Sequence, residues 1–355
     1  MTDNVSTSAE AGLKGAATEV AQFATSRGPL KKLQGFLHKH PTSIPLIVLL
    51  LGVIVFTLGV GDKFFAPFNL SLILQQVTII GVLAIAQTLI ILTAGIDLSV
   101  GAMMVLSAVV MGRLAVVLGF PPELSFLAGL LCGTLCGLIN GMFVALLRLP
   151  PFIVTLGTWS MFGAMVLYVS RSETIRSQDV AAAAPMLQWL GTRFPIGGGA
   201  VLTAGSLLMI VIAICVWYVL TQTAFGRHIY ATGDDPEAVR LVGINSKKTL
   251  MAVYTIAGFI CAIAGWVVIG RIGAVSPLAG ANANLDAITA VVIGGTSLFG
   301  GRGSIVGSLI GALIVGTFRN GLALWGVEVL WQEFAVGGLI ILAVTIDQWI
   351  RRISA

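Results

Sequence analysis

Charge is the scarcest commodity in this chain. Only 10% of its 355 residues are Asp, Glu, Lys or Arg, against 57% hydrophobic residues, where a soluble domain carries roughly a quarter charged residues. Lipid is therefore the main solvent. The apolar runs are continuous rather than alternating, which excludes a β-barrel and leaves a polytopic helical membrane protein. Cysteine is limited to Cys132, Cys136, Cys215 and Cys261, all inside apolar runs. Cys132 and Cys136 stand one helical turn apart with no second cluster, so they read as packing residues and no metal site is expected. Histidine occurs only at positions 38, 40 and 228, outside the apolar blocks, where it cannot form a proton relay through the membrane. No GxxxxGK[ST] phosphate loop is present, so the chain does not hydrolyse ATP by that route. The net charge of +5 sits at segment ends and in loops, a topology signal rather than a nucleic-acid face.

The apolar blocks predict about ten spans, near 44–60, 70–92, 98–118, 124–147, 152–170, 200–222, 249–270, 286–300, 303–323 and 329–349. The eighth is short and broken by glycine, as a half-helix or re-entrant element would be. Residues 1–43 read as a flexible tail and 44–350 as the membrane domain. Residues 351–355 form a short C-terminal end. With the tail inside the cell, thirteen of the twenty Lys and Arg residues fall on the cytoplasmic side. The positive-inside bias then places both termini and the 222–248 loop in the cytoplasm, and the 171–199 loop outside. The inner membrane is the expected location.

Three intramembrane stretches are unusual. In LTAGIDLSVGA (92–102), Asp97 reads as the N-cap of the third span, as a pathway residue, or as both, with Ser99 beside it. In TAVVIGGTSLFGGRGSIVG (289–307), Gly294, Gly295, Gly300, Gly301 and Gly303 interrupt an apolar run beside Thr296, Ser297 and Arg302. Such a break fits a functional discontinuity or close helix packing. In RLPPFIVTLGTW, Pro150 and Pro151 end one span and start the next. Thr155, Thr158 and Trp159 follow, with Asn140 on the preceding span, as groups that either meet a sugar or join helices.

The run 221–248, TQTAFGRHIYATGDDPEAVRLVGINSKK, is a polar interruption between two apolar segments. Gly226 and Arg227 open it, and Gly233, Asp234 and Asp235 read as a turn. Asp235 is the predicted N-cap of a short helix with Pro236 at its first position and Glu237 in its first turn. Ala238, Leu241 and Val242 share an apolar face, Arg240 lies between them, and Gly243 and Ile244 end the helix before Lys247 and Lys248. Two turns of helix need a surface to pack on, either this protein's own helix ends or a partner.

GDDPEAVRLVGI resembles the cytoplasmic coupling loop of ABC-importer permeases, whose pattern is Glu-Ala-Ala followed at a set distance by Gly. Glu237, Ala238 and Gly243 match it, and Val239 replaces the second alanine. GIDLSVG and VIGGTSLFGGRGS resemble the permeases of the bacterial monosaccharide-uptake branch, and the likeness runs from about Pro45 to Ile350. GDDPEA, SETIRSQD and the DQWIR ending are most similar to fructose import permeases. Many relatives carry Gly-Asn where Asp234 and Asp235 stand, so the double acid fits the narrower group. The resemblance implies an all-α permease subunit working as two copies, with a separate cytoplasmic ATPase subunit and a periplasmic sugar-binding protein. ATP and Mg would be used by the ATPase, and no cofactor is expected on this chain. An ion-coupled secondary transporter of a small polar solute is the alternative. It would need several buried acids or histidines, and Asp97 is the only serious candidate. A membrane scaffold predicts neither the broken spans nor the loop helix.

Overall fold

In the computed structural model, which describes residues 43–280 and 282–351, the chain is almost entirely helical. Of the expected tail, 1–42 lie outside the described residues, as do 352–355. Among the described residues, eight helices are long and apolar enough to cross a membrane, and two shorter apolar helices, 283–293 and 329–342, complete the expected ten.

In chain order the elements are α1 (Ser43–Val60), α2 (Pro67–Leu92), α3 (Val100–Gly112), α4 (Pro122–Ala145), α5 (Pro151–Ser170), α6 (Ser177–Ala183) and α7 (Pro185–Gln188). A hairpin of β1 (Arg193–Gly197) and β2 (Ala200–Thr203) follows. Then come α8 (Ala204–Gln222), α9 (Ala224–Asp234), α10 (Pro236–Leu241), α11 (Ser246–Ile272), α12 (Ala283–Ile293), α13 (Ile305–Leu324) and α14 (Val329–Arg351). The helix α3 ends in one π-turn, Arg113–Val117. Proline sits at the first turn of α2, α4 and α5, where its missing N–H costs nothing and its fixed φ starts the helix.

Burial separates the centre from the rim. In the membrane-spanning windows, 72% of α3 and 67% of α11 are buried inside the protein, against 17% of α1 and 28% of α5. Two apolar cores meet on α2: one joins α2, α3, α8 and α11, the other joins α1, α2, α12 and α13. Lipid-like solvent gives little hydrophobic drive between helices, so close backbone approach has to supply the attraction. The pairing of α4 with α11 is the most extensive helix contact. Gly133, Gly137 and Gly141 recur every four residues on α4, and a Cβ at Gly137 would run into the Tyr254 and Gly258 backbone of α11.

Residues 200–203 were expected inside the sixth span. They instead form β2, paired antiparallel with β1 from Arg193↔Thr203 to Gly197↔Ala200. Gly197, Gly198 and Gly199 all have positive φ, which allows the tight reversal and closes the hairpin before an apolar run can start a helix. Thr203 then caps α8, its hydroxyl accepting from Ser206 N.

The predicted eighth span is a half-helix. The eleven residues of α12 rise about 16 Å, half of a hydrocarbon core roughly 30 Å thick. The backbone flanking it is internally bonded: Ala279 N donates to Ser276 O, Ala283 N to Gly280 O, and Thr296 N to Val291 O. Irregular backbone at such depth survives only when protein satisfies it.

Candidate functional site

The 221–248 run is two helices rather than one helix flanked by turns. Gly233 and Asp234, expected in a turn, belong to the last turn of α9. The hydroxyl of Thr223 caps α9 by accepting from Gly226 N at 3.2 Å, and Gly226, Ile229, Thr232 and Gly233 form its buried face. Arg227 is exposed. The next helix begins as expected: Asp235 Oδ1 accepts from Glu237 N at 2.9 Å and Ala238 N at 3.0 Å, with Pro236 at the first position. Gly243, at φ +83°, lets the chain reverse where a side chain would be strained. Ile244 N then returns to Val239 O at 3.1 Å.

The apolar face of α10 differs from the expected one. Val239 is the residue buried against the protein, whereas Leu241 is 88% exposed and Val242 74% exposed. The reason is the side from which the support comes: α10 contacts α9 and α11, and Val239 is the position facing them. Asp234, Asp235, Glu237, Ala238, Arg240 and Gly243 are exposed and Ile244 is half-buried. A capped helix thus presents two large aliphatic side chains and a mixed charge rim to the outside, the composition of a docking patch.

Behind it, α9 rests on both glycine-rich stretches. Gly301 N donates to Leu92 O at 3.0 Å. Gly233 lies so close that a Cβ there would overlap Leu92 O, and a Cβ at Gly300 would stand 2.6 Å from Gly233 O. Tyr230 Oη donates to Gly303 O at 2.9 Å, and burial pushes its phenol up from the ordinary value. Three chain segments therefore meet backbone to backbone beneath α9. Thr296 and Ser297 hold this junction. Ser297 Oγ accepts from Phe299 N at 3.1 Å, and Thr296 Oγ1 lies 3.5 Å from Ser308 Oγ, which accepts from Thr88 of α2 at 2.7 Å.

Asp97 is not the N-cap. Ser99 occupies that position of α3, and Asp97, wholly buried, folds back on it. Its Oδ1 accepts from Ser99 N and Ser99 Oγ, both at 2.6 Å. Its Oδ2 accepts from Asn140 Nδ2 at 3.2 Å, and the same nitrogen lies 2.8 Å from Ser99 Oγ. The Gln87 carboxamide, oriented to satisfy both partners, donates to Asp97 O at 3.1 Å and accepts from Asp97 N at 3.2 Å. Thr155 Oγ1 donates to Ile96 O at 3.0 Å and Asn284 Nδ2 to Leu98 O at 3.1 Å. Thr158 Oγ1 lies 3.4 Å from Thr155 O. Thus α2, α4, α5 and α12 all pin the 93–99 loop. Gln87 and Asn284 were not singled out in the sequence, although a glutamine amid VLAIAQTLIIL was visible as a polar group in an apolar run.

Beside this network lies a cavity of about 340 Å³ between α3, α5 and the 277–280 segment, within the size range of small-molecule sites. Gly101 and Ala102 on α3, Trp159 and Ser160 on α5, and Asn284 on α12 help to line it. Of the expected pathway residues, Trp159 lines this cavity. Asp97, Ser99, Asn140, Thr155 and Thr158 lie in the buried network behind it, and Thr296 and Ser297 lie at the junction under α9. Asn284 connects the two, bonded to the 93–99 loop and forming part of the cavity wall.

Residues 69–344 match the model of the branched-chain amino acid transport system / permease component family. The chain is 55% identical to the fructose import permease protein FrcC of Rhizobium meliloti, over 97% of this chain and 95% of that protein. It is 37% identical to the ribose import permease protein RbsC of Bacillus subtilis, covering 86% and 92% respectively. Against the xylose transport system permease protein XylH of Escherichia coli the identity is 33%, covering 90% and 96%. With that match and these near-full-length relatives, the chain belongs to the branched-chain amino acid transport system / permease component family of membrane permeases.

Proposed function

We propose that this chain is the membrane-spanning subunit of a binding-protein-dependent ABC importer that carries a monosaccharide, fructose first, across the bacterial inner membrane. The observation that carries the reading is the 55% identity, almost end to end, with a fructose import permease. Ribose and xylose permeases follow at lower identity, which supports a sugar rather than an amino acid as cargo.

The working unit in this reading is two copies of the chain, a cytoplasmic ATPase subunit that binds and spends ATP with Mg, and a periplasmic sugar-binding protein. The permease itself is not catalytic. Positive-inside bias supports a cytoplasmic position for α9 and α10 together with both termini. There the exposed rim of Asp234, Asp235, Glu237, Arg240 and Leu241 meets the ATPase. Helix α10 is too short to hold its shape alone, but its cap and the buried Val239 fix it to α9. A push on α10 is therefore delivered through α9 to the junction of Leu92, Gly233 and Gly301. From the junction the 93–99 loop and the 294–304 loop lead to Asn284 and the cavity, the proposed sugar route. ATP-driven closure changes the pathway to the extent that the ATPase contacts differ between its two states. Asp97 and Ser99 keep the loop folded, while Trp159 and Asn284 meet the sugar with a ring face and an amide.

Reconstitution with the cognate ATPase and binding protein in proteoliposomes tests the whole assignment. Labelled fructose should accumulate only with ATP and binding protein present. Uptake driven by an ion gradient without the ATPase would instead favour a secondary transporter, and accumulation of ribose but not fructose would overturn the sugar.

A further inference from the structure

Behind the half-helix α12, on the side away from the cavity, lies a cluster of charge that the transport reading has not used. Arg319 of α13 donates through Nη2 to Asp286 of α12 at 2.8 Å. It also donates through Nη1 and Nη2 to the two oxygens of Glu333 of α14, at 2.8 and 3.2 Å. Arg319 and Asp286 are largely shielded, with side chains 20% and 12% exposed, and Glu333 is more open at 37%. Arg319 sits inside a membrane-spanning helix, where a charge is costly and marks function more often than packing. Apolar side chains of similar volume would hold three helices together at least as well as such a cluster.

The geometry gives the cluster a specific task. The C-terminal half of α12 is already fixed: a Cβ at Gly311 of α13 would overlap Ala290 O, and Gly294 and Gly307 are in equally close contact. Its first turn packs instead against α3, where a Cβ at Gly101 would stand 3.2 Å from Asn284 N, and that turn carries Asn284, which forms part of the cavity wall. Two residues apart on a helix, Asn284 and Asp286 point to nearly opposite sides. Asn284 reaches Leu98 O of the 93–99 loop, while Asp286 is held from behind by Arg319, which the bidentate grip on Glu333 orients in turn.

We propose that Arg319, Asp286 and Glu333 form an ionic strap that positions the first turn of α12, and with it the cavity wall made by Asn284 and the 277–280 segment. The proposal rests on reading that cavity as the sugar's route. Its residues are positioning residues, since none of them touches the cavity.

The test uses the assembled importer in proteoliposomes, with the four native cysteines replaced and Ala279→Cys as a reporter in the cavity wall. A charged maleimide should label the reporter at least fivefold faster with Asp286→Asn than with the strap intact. Maximal fructose uptake should fall at least tenfold while the binding-protein concentration for half-maximal uptake stays the same. Equal labelling rates would overturn the strap. Should Asp286→Asn fail to assemble, Glu333→Gln takes its place: it keeps the pair of Arg319 with Asp286 and should raise labelling about threefold, and an unchanged rate overturns the proposal equally. A separate arm addresses the cavity. With the strap intact, a bulky maleimide on the reporter should block uptake. Persistent uptake would remove the cavity from the sugar's route, while the labelling comparison would still decide the strap.

Discussion

A carboxyl group with no exposed surface has to find its partners inside the protein, and Asp97 finds three donors, Ser99 N and Oγ two residues on and Asn140 Nδ2 on α4. Replacing it with alanine strands Ser99 N–H and the Ser99 hydroxyl in an apolar surrounding, while the Asn140 amide keeps Ser99 Oγ, at a cost of about 1–3 kcal/mol for each buried polar group left unsatisfied. Asp97→Asn keeps one acceptor oxygen and sets its new amide against the Asn140 amide, which can turn to present its unpartnered Oδ1. The expected outcome is a larger drop in thermal stability for Asp97→Ala than for Asp97→Asn in detergent. If the loop serves the pathway, Asp97→Asn also lowers uptake more than it lowers the amount of folded protein. At the junction, Tyr230→Phe removes one hydrogen bond to Gly303 O and should lower stability by about 1 kcal/mol. It should also reduce ATP-driven uptake per folded molecule, measured on matched amounts of reconstituted importer.

The elements of the docking region separate shape from contact. Asp235 acts on α10 itself, so Asp235→Ala should cost about 1 kcal/mol of local helix stability and weaken, but not abolish, co-purification with the ATPase. Glu237→Arg reverses charge on the exposed rim, costs α10 about 0.5–1 kcal/mol by opposing the helix dipole, and should abolish co-purification or uncouple ATP hydrolysis from uptake. Unimpaired coupling would remove α10 from the interface. Leu241→Ala deletes a side chain that makes little contact within this chain, so monomer stability should hold within about 0.5 kcal/mol. Binding to the ATPase should fall at least tenfold, as expected for an aliphatic anchor at the centre of a patch. The short helix, its Asp235 cap, the proline start and the Gly243 stop were all legible in the sequence, because each is a local backbone requirement. Which of its aliphatic side chains face outward was not legible. That depends on where α9 and α11 stand, and a three-residue choice among Val239, Leu241 and Val242 has no local signature.

Across the whole molecule, orientation and helix packing carry the remaining tests. A cysteine placed at Glu237 should be protected from a membrane-impermeant maleimide in intact cells and labelled in inverted vesicles, and the reverse pattern would turn the proposed topology over. Gly137→Leu should abolish folding, because its side chain meets the Tyr254 and Gly258 backbone and separates α4 from α11. Fluorescence-detected gel filtration would show aggregated protein in place of a single dispersed peak.

The sequence by itself determined the solvent, the helical class, the number of apolar segments, the break near residue 294 and the polar loop with its capped helix. Each follows from composition, run length or backbone chemistry over a few residues, and lipid enforces them because unpaired backbone groups have no water to turn to. Only the tertiary structure decided that Gln87, Asn140, Thr155 and Asn284 converge on one loop, and that Ser99 rather than Asp97 stands at the N-cap. It also decided that residues 200–203 pair as a strand, and that Arg319 joins Asp286 to Glu333. Those outcomes depend on contacts between residues up to 186 positions apart, as for Asn284 and Leu98. A polar side chain in an apolar helix announces that it needs a partner, and the packing of helices chooses which one.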